Sequence, residues 1–211
     1  MTVNDAVELG GAVRPETAVA VWVGPKSRVK IPIQTDRAAI AALRRTRAFA
    51  RRRTGMDITW LDGTGDARID RIAVGGAIWN SSDRMKELKN VGVTHIINMQ
   101  IECDDTEMAE EHGIEVSWNP TDDDFEVKPA ELFAPGVKFA LRALESGDAK
   151  VFIHCAAGVH RAPMMALAVR GAIGMKLEDA MELIEMKRPV ADFAEVYVRS
   201  VERFLSGRHR G

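Results

Sequence analysis

About a quarter of the way back from the carboxyl end, one stretch restricts the architecture more than any other. It reads Val151-Phe152-Ile153-His154-Cys155-Ala156-Ala157-Gly158-Val159-His160-Arg161-Ala162-Pro163. Val-Phe-Ile is a β-branched and aromatic run of strand character. Gly158 lets the following loop curl through positive φ. Pro163 suits a first helical turn, where a missing N–H costs nothing. The helix continues through the apolar Met164-Met165-Ala166-Leu167-Ala168-Val169, which predicts burial. A loop curled in this way turns successive backbone N–H groups inward, toward the positive end of the next helix. That makes an anion cradle sized for a phosphate.

The cradle frames a nucleophile. Inward amides, helix terminus and Arg161 all favour Cys155 as its thiolate. The planar guanidinium of Arg161 can hold two phosphate oxygens at once, which an ammonium cannot. Cys155 and Arg161 are therefore the candidate catalytic pair, with Ala156, Ala157, Gly158, Val159, His160 and Arg161 as the phosphate loop. A lone cysteine near an arginine would more simply be a packed thiol. Here strand, His-Cys, central Gly, Arg six positions on and Pro-started helix coincide. The pattern His-Cys-x-x-Gly-x-x-Arg resembles the signature of the cysteine-dependent protein tyrosine phosphatases, in their dual-specificity branch. That resemblance implies an α/β catalytic domain, covalent phosphate-ester hydrolysis, and no cofactor or metal.

A second chemical element is Asn119-Pro120-Thr121-Asp122-Asp123-Asp124. Ester cleavage needs a proton for the leaving oxygen and a base for the attacking water. Three aspartates in a turn are by themselves an ordinary solvated loop. The resemblance implies an acid upstream of the nucleophile and selects Asp123, 32 positions before Cys155, with Asp122 and Asp124 as the alternative acids and Asp122 otherwise a supporting residue. His154 is read as orienting the loop from the strand end, or as a packed histidine. Residues around 151–188 look closest to the phosphatases of regenerating liver, on Ala162 after the arginine and on Trp118, Pro120 and Asp122-Asp123. The same resemblance implies Cys103 as a redox partner of Cys155; a small buried hydrophobe is the alternative. His160 departs from the small residue usual there. The chain also ends Gly207-Arg208-His209-Arg210-Gly211, without the prenylation cysteine of those relatives.

The rest of the chain is read for organisation. Strands are predicted at 71–76, 94–99, 114–118 and 151–153. Helices are predicted from Ser81 to Val91, over 104–112, 130–146 and 177–187, and from about Ala191 to Leu205. Strands alternating with helices predict a central, parallel-rich sheet flanked by helices, with the site at the carboxyl ends of the strands. The expected organisation is a basic N-terminal extension over 1–57 and a catalytic domain over 58–211. In the extension, short strands at 18–23 and 29–33 precede a helix over 38–53. The first 57 residues carry 11 Lys and Arg against 5 Asp and Glu, and the remainder 18 against 26. The tail Arg44-Arg45-Thr46-Arg47 and Arg51-Arg52-Arg53 is either a solvated helix face or a surface for an anionic partner.

Composition excludes several classes. No apolar run nears the ~20 residues that cross a bilayer, and no signal peptide opens the chain, which predicts a cytoplasmic protein. Two cysteines are too few for a disulfide framework and fit a reducing compartment. The five histidines are scattered, so no metal cluster is expected. The expected activity is hydrolysis of phosphotyrosine, with or without phosphoserine and phosphothreonine, on a phosphorylated protein or a small phosphate ester. The alternatives are a phosphoinositide phosphatase and, because Ala162 lacks a hydroxyl, a weakly active phosphate-binding pseudophosphatase. A rhodanese-like sulfurtransferase also uses a cysteine in a curled loop, but Arg161 and the aspartate loop argue against it.

Overall fold

Val151–His154 has apolar residues at every position but the last, as expected of a strand covered on both faces. In the computed structural model, which describes residues 18–22, 28–32 and 55–208, it is the central strand of a five-stranded sheet. The chain divides into two compact units, up to Thr54 and from Gly55. In the first, β1 (Ala18–Trp22) and β2 (Arg28–Pro32) form an antiparallel hairpin. The helix expected over 38–53 and its basic tail lie outside the described residues.

The second unit carries, in order, β3 (Ile58–Trp60), β4 (Ile72–Gly75), α1 (Ser82–Asn90), β5 (His95–Gln100), α2 (Thr106–Glu111), β6 (Glu115–Thr121), α3 (Ala130–Glu145), β7 (Val151–His154), α4 (Arg161–Ile173), α5 (Leu177–Lys187) and α6 (Glu195–Arg208). The sheet order is β3-β4-β7-β5-β6. Only β3 runs antiparallel to its neighbour; the other four strands are parallel. The mixed α/β class and parallel-rich sheet expected from the sequence are therefore the observed ones. Among the described residues, no helix is long and apolar enough to cross a membrane.

Alternation along the strands assigns the two cores. Ile72, Val74, Ile97, Met99, Val151 and Ile153 face one layer, built from Phe133, Val137 and Leu144 of α3 and from Met165 and Leu167 of α4. Ala73, Ile96 and Phe152 face the other, against Met85 and Leu88 of α1 and Ala109 of α2. Every residue of α4 from Arg161 to Arg170 is buried, so the helix that follows the cradle is the central one. Full burial of a side chain such as Met165, Leu167 or Val169 is worth about 1.5–3 kcal/mol over exposure. Arg170, wholly buried in α4, donates to the carbonyls of Leu61 and Ile69 and so ties the helix to the turns before β4.

Two elements differ from expectation. β6 runs on to Thr121 rather than stopping at Trp118, with its pairing to β5 shifting between Asn98 and Gln100. It is an edge strand, so Pro120 can sit in it without costing a ladder bond. The last helix starts at Glu195, because Ala191–Ala194 is drawn out toward the loop that follows Cys155, where the Asp192 amide donates to Val159 O at 2.8 Å.

Candidate active site

Four parallel strands end on one side of the sheet, and the loops that leave them bring the chemistry together. Cys155 follows β7, Glu102 follows β5, and Asp122–Asp124 follow β6. The Cys155 side chain is almost fully enclosed, and its sulfur accepts the Gly158 amide at 3.2 Å.

Outward bonds hold the loop in its curl. The carbonyl of Ala156 accepts from the Ala77 amide (3.4 Å), and that of Val159 from the Asp192 amide (2.8 Å). Between them, Ala157 O and Gly158 O accept from Arg188 at 3.2 and 2.7 Å. In a trans peptide the N–H points opposite to the C=O. Four carbonyls drawn outward therefore turn the amides of Ala157, Gly158, Val159 and His160 toward the interior. Gly158 sits at φ 64°, and a Cβ there would fall 2.4 Å from Arg188 Nη2 and 2.5 Å from Gly75 O. Only glycine fits.

Arg161 opens α4 and is 3% exposed. Its Nη1 and Nη2 each reach a Glu102 carboxylate oxygen at 2.9 Å, and Nη1 also donates to Thr121 O at 3.0 Å. Its Nε is buried and, among the described residues, has no hydrogen-bond partner. Asp123 Oδ2 lies 4.0 Å from it. A buried donor without a partner is costly. A phosphate oxygen held in the loop is an acceptor of the kind it lacks. The Arg161 hydrogen bond holds the Glu102 carboxyl below the usual carboxylate range.

Asp123 is one-third exposed and faces this group. Its Oδ2 lies 3.0 Å from His160 Nδ1, and its Oδ1 accepts from Tyr197 OH at 3.3 Å. Burial would raise its pKa, but the His160 hydrogen bond and charge, then Arg161 and Tyr197, hold it below the ordinary value. Asp124 is engaged elsewhere, pairing with Lys128 and accepting the Glu126 amide at 3.0 Å. Asp122 is exposed.

A family model for the catalytic domain of dual specificity phosphatases matches residues 78–204. The chain belongs to the dual specificity phosphatase family. It is 32% identical over 104 residues to protein tyrosine phosphatase type IVA 2 of Mus musculus, across 49% of its own length and 62% of that protein's. It thus spans less than two thirds of that relative, and the same holds for the counterpart from Rattus norvegicus. Among solved structures it is similar to PTPMT1 in complex with PI(5)P, with a TM-score of 0.60 and 21% identity over 72% of this chain and 97% of that one. Human DUSP28 superposes with a TM-score of 0.57 at 17% identity, over 66% of this chain and 94% of that one.

Within the chain, the residues singled out from the sequence separate into three groups. Cys155, the loop from Ala156 to Arg161, and Asp123 converge. His154 is wholly buried, stacks on Phe152 with ring centroids 5.4 Å apart, and has Nε2 3.2 Å from Asp105 Oδ2. Asp105 Oδ2 accepts from Asn98 Nδ2 at 2.9 Å. Cys103 and Cys155 are both free thiols. The Cys103 sulfur lies 3.8 Å from Asp105 Oδ1, and burial, then the Asp105 charge, push the Cys103 thiol pKa up.

Five residues of the site escaped the sequence reading: Glu102, Asp192, Tyr197, Arg188 and Asp57. Arg188 is 4% exposed and, besides the loop carbonyls, binds Asp57 through Nη1 (3.0 Å) and Nη2 (2.7 Å) and Thr59 Oγ1 at 3.1 Å. Its position just before Pro189, past the end of α5, was the available signal, since a helix-ending arginine is ordinarily solvated. The histidine at 160 was a second signal. A charged ring in a phosphate loop needs carboxylates around it.

Proposed function

We propose that the chain hydrolyses phosphate monoesters through a phosphocysteine at Cys155, with phosphotyrosyl peptides as its substrate class. The observation that carries this is the buried, partnerless Arg161 Nε beside a ring of inward amides, with the Cys155 sulfur at its floor. Glu102 occupies the outer edge of the guanidinium and fixes its plane, leaving the Nε edge for phosphate oxygens. The sulfur attacks phosphorus in line, and the S–P bond forms as the bond to the ester oxygen breaks. The loop amides and Arg161 stabilise the charge on the equatorial oxygens. Asp123 supplies the proton to the departing oxygen and then takes one from the water that hydrolyses the phosphocysteine.

The rim favours a substrate with one phosphate and an aromatic ring. Glu102, Asp123 and Asp192 surround the cradle, and the loop itself carries no lysine, so a second phosphate would meet carboxylates. Phe125, half exposed, lies beside His160 with ring centroids 5.0 Å apart and offers an apolar face at the mouth. The likeness to PTPMT1, solved with PI(5)P, makes phosphoinositides the competing class. Purified protein assayed on phosphotyrosyl, phosphoseryl and phosphothreonyl peptides and on phosphoinositides including PI(5)P separates the readings. The highest kcat/KM is expected on phosphotyrosyl peptides. Faster turnover of PI(5)P overturns the substrate class, and phosphate binding without turnover of any substrate overturns the activity.

A further inference from the structure

His160 stands between two carboxylates. Nδ1 lies 3.0 Å from Asp123 Oδ2, and Nε2 lies 3.4 Å from Asp192 Oδ2. Its side chain is 16% exposed. The surrounding groups come from every neighbouring element: Asp123 and the Phe125 ring from the β6–α3 loop, Asp192 from the α5–α6 loop, Tyr197 of α6 through Asp123, and Arg161, whose Nε is 4.0 Å from the same Asp123 oxygen. Asp123 Oδ2 therefore faces His160 on one side and the cradle on the other. An aspartate held below its ordinary pKa is almost wholly ionised at neutral pH and has no proton of its own to give.

We propose that Asp192, His160 and Asp123 form a proton relay, in which His160 holds the proton that Asp123 delivers to the leaving oxygen. This rests on the phosphatase reading above. As the ester bond breaks, the His160 Nδ1–H bond breaks, and Asp123 Oδ2 takes that proton and passes it to the departing oxygen. In the second half, Asp123 takes a proton from the water attacking phosphorus, the S–P bond breaks, and the proton returns to His160. Asp192 stabilises the imidazolium from the far side. Burial disfavours that charge, but the hydrogen bonds to Asp123 and Asp192 outweigh it and push His160 up to about 9. The proton is thus available well above the pH at which a lone carboxyl would have lost it.

The test is the pH profile of kcat/KM on phenyl phosphate, a poor leaving group, against 2,4-dinitrophenyl phosphate, a good one, in the full chain. For phenyl phosphate the relay predicts an alkaline limb that moves to lower pH in His160→Asn, with the phenyl-to-dinitrophenyl rate ratio at pH 8 falling tenfold or more. Asp192→Asn should shift the limb in the same direction by less. A histidine that only keeps Asp123 ionised gives the opposite sign: its removal frees Asp123 to rise, and the limb moves up. An upward or absent shift in both variants overturns the relay. So does a ¹⁵N titration of the wild type in which His160 loses its proton near an ordinary pH of about 6.5. Turnover that survives Cys155→Ser instead overturns the underlying phosphatase mechanism, so the two failures are distinguishable.

Discussion

Replacing Arg188 by Met keeps an unbranched apolar stem and removes all its donors. Asp57, whose side chain is 59% exposed, recovers its hydrogen bonds from water, so that ion pair contributes at most about 1 kcal/mol. The Gly158 carbonyl has no such recourse, because Arg188 Nε reaches it in a buried position, and the part-buried Ala157 carbonyl recovers only some of what Arg188 Nη2 supplies. A buried acceptor left without a partner costs about 1–3 kcal/mol. Relaxation of the loop lowers the total, and Arg188→Met should destabilise the protein by roughly 2–4 kcal/mol. At about 2–4 °C per kcal/mol for a domain of this size, Tm should fall by roughly 5–15 °C. The same carbonyls set the direction of the Gly158 and Val159 amides, so kcat on an aryl phosphate should fall well below the wild-type value at temperatures where the variant remains folded. Calorimetry and steady-state kinetics on one preparation measure both effects. A variant with unchanged Tm and unchanged kcat would refute the argument that outward carbonyl bonds shape the cradle.

Asp123→Asn should lower kcat by roughly 10²–10⁴ on phenyl phosphate. It should lower it much less on 2,4-dinitrophenyl phosphate, while Asp122→Asn and Asp124→Asn cost less on both; a larger loss in Asp122→Asn would move the acid by one position. Mild peroxide should inactivate the wild type reversibly through a Cys103–Cys155 disulfide. The raised Cys103 pKa makes that capture faster at alkaline pH, and peptide mapping of oxidised protein that finds no such link rules the switch out.

The fold and the curl of the loop after Cys155 were legible because each depends on local pattern. Val151–Ile153, Gly158 and Pro163 carry their conformations in their own covalent geometry, and the alternating residues of β4, β5 and β7 announce two buried faces. The contacts that complete the site join residues far apart in the chain. Glu102 meets Arg161, Arg188 meets Asp57, and Tyr197 meets Asp123 only because the loops of a parallel sheet converge at one edge. No spacing rule relates such pairs. The extension of β6 to Thr121 was missed for a related reason: Pro120 reads as a strand terminator until the strand is known to lie at the sheet edge. His160 was visible as a departure from the usual loop, but its meaning depended on Asp192, which sits in a segment first read as helix.

The central claim is that Cys155 carries the phosphoryl group during turnover. Rapid quench of the enzyme, mixed with excess aryl phosphate, into alkaline denaturant, followed by peptide mass spectrometry, measures this directly. A single phosphoryl group on the peptide containing Cys155 is expected in the wild type within the first turnover, and none in Cys155→Ser, which should also show no hydrolysis. Hydrolysis by Cys155→Ser at a rate near the wild type, or a phosphoryl group found on His160 with Cys155 unmodified, would contradict it.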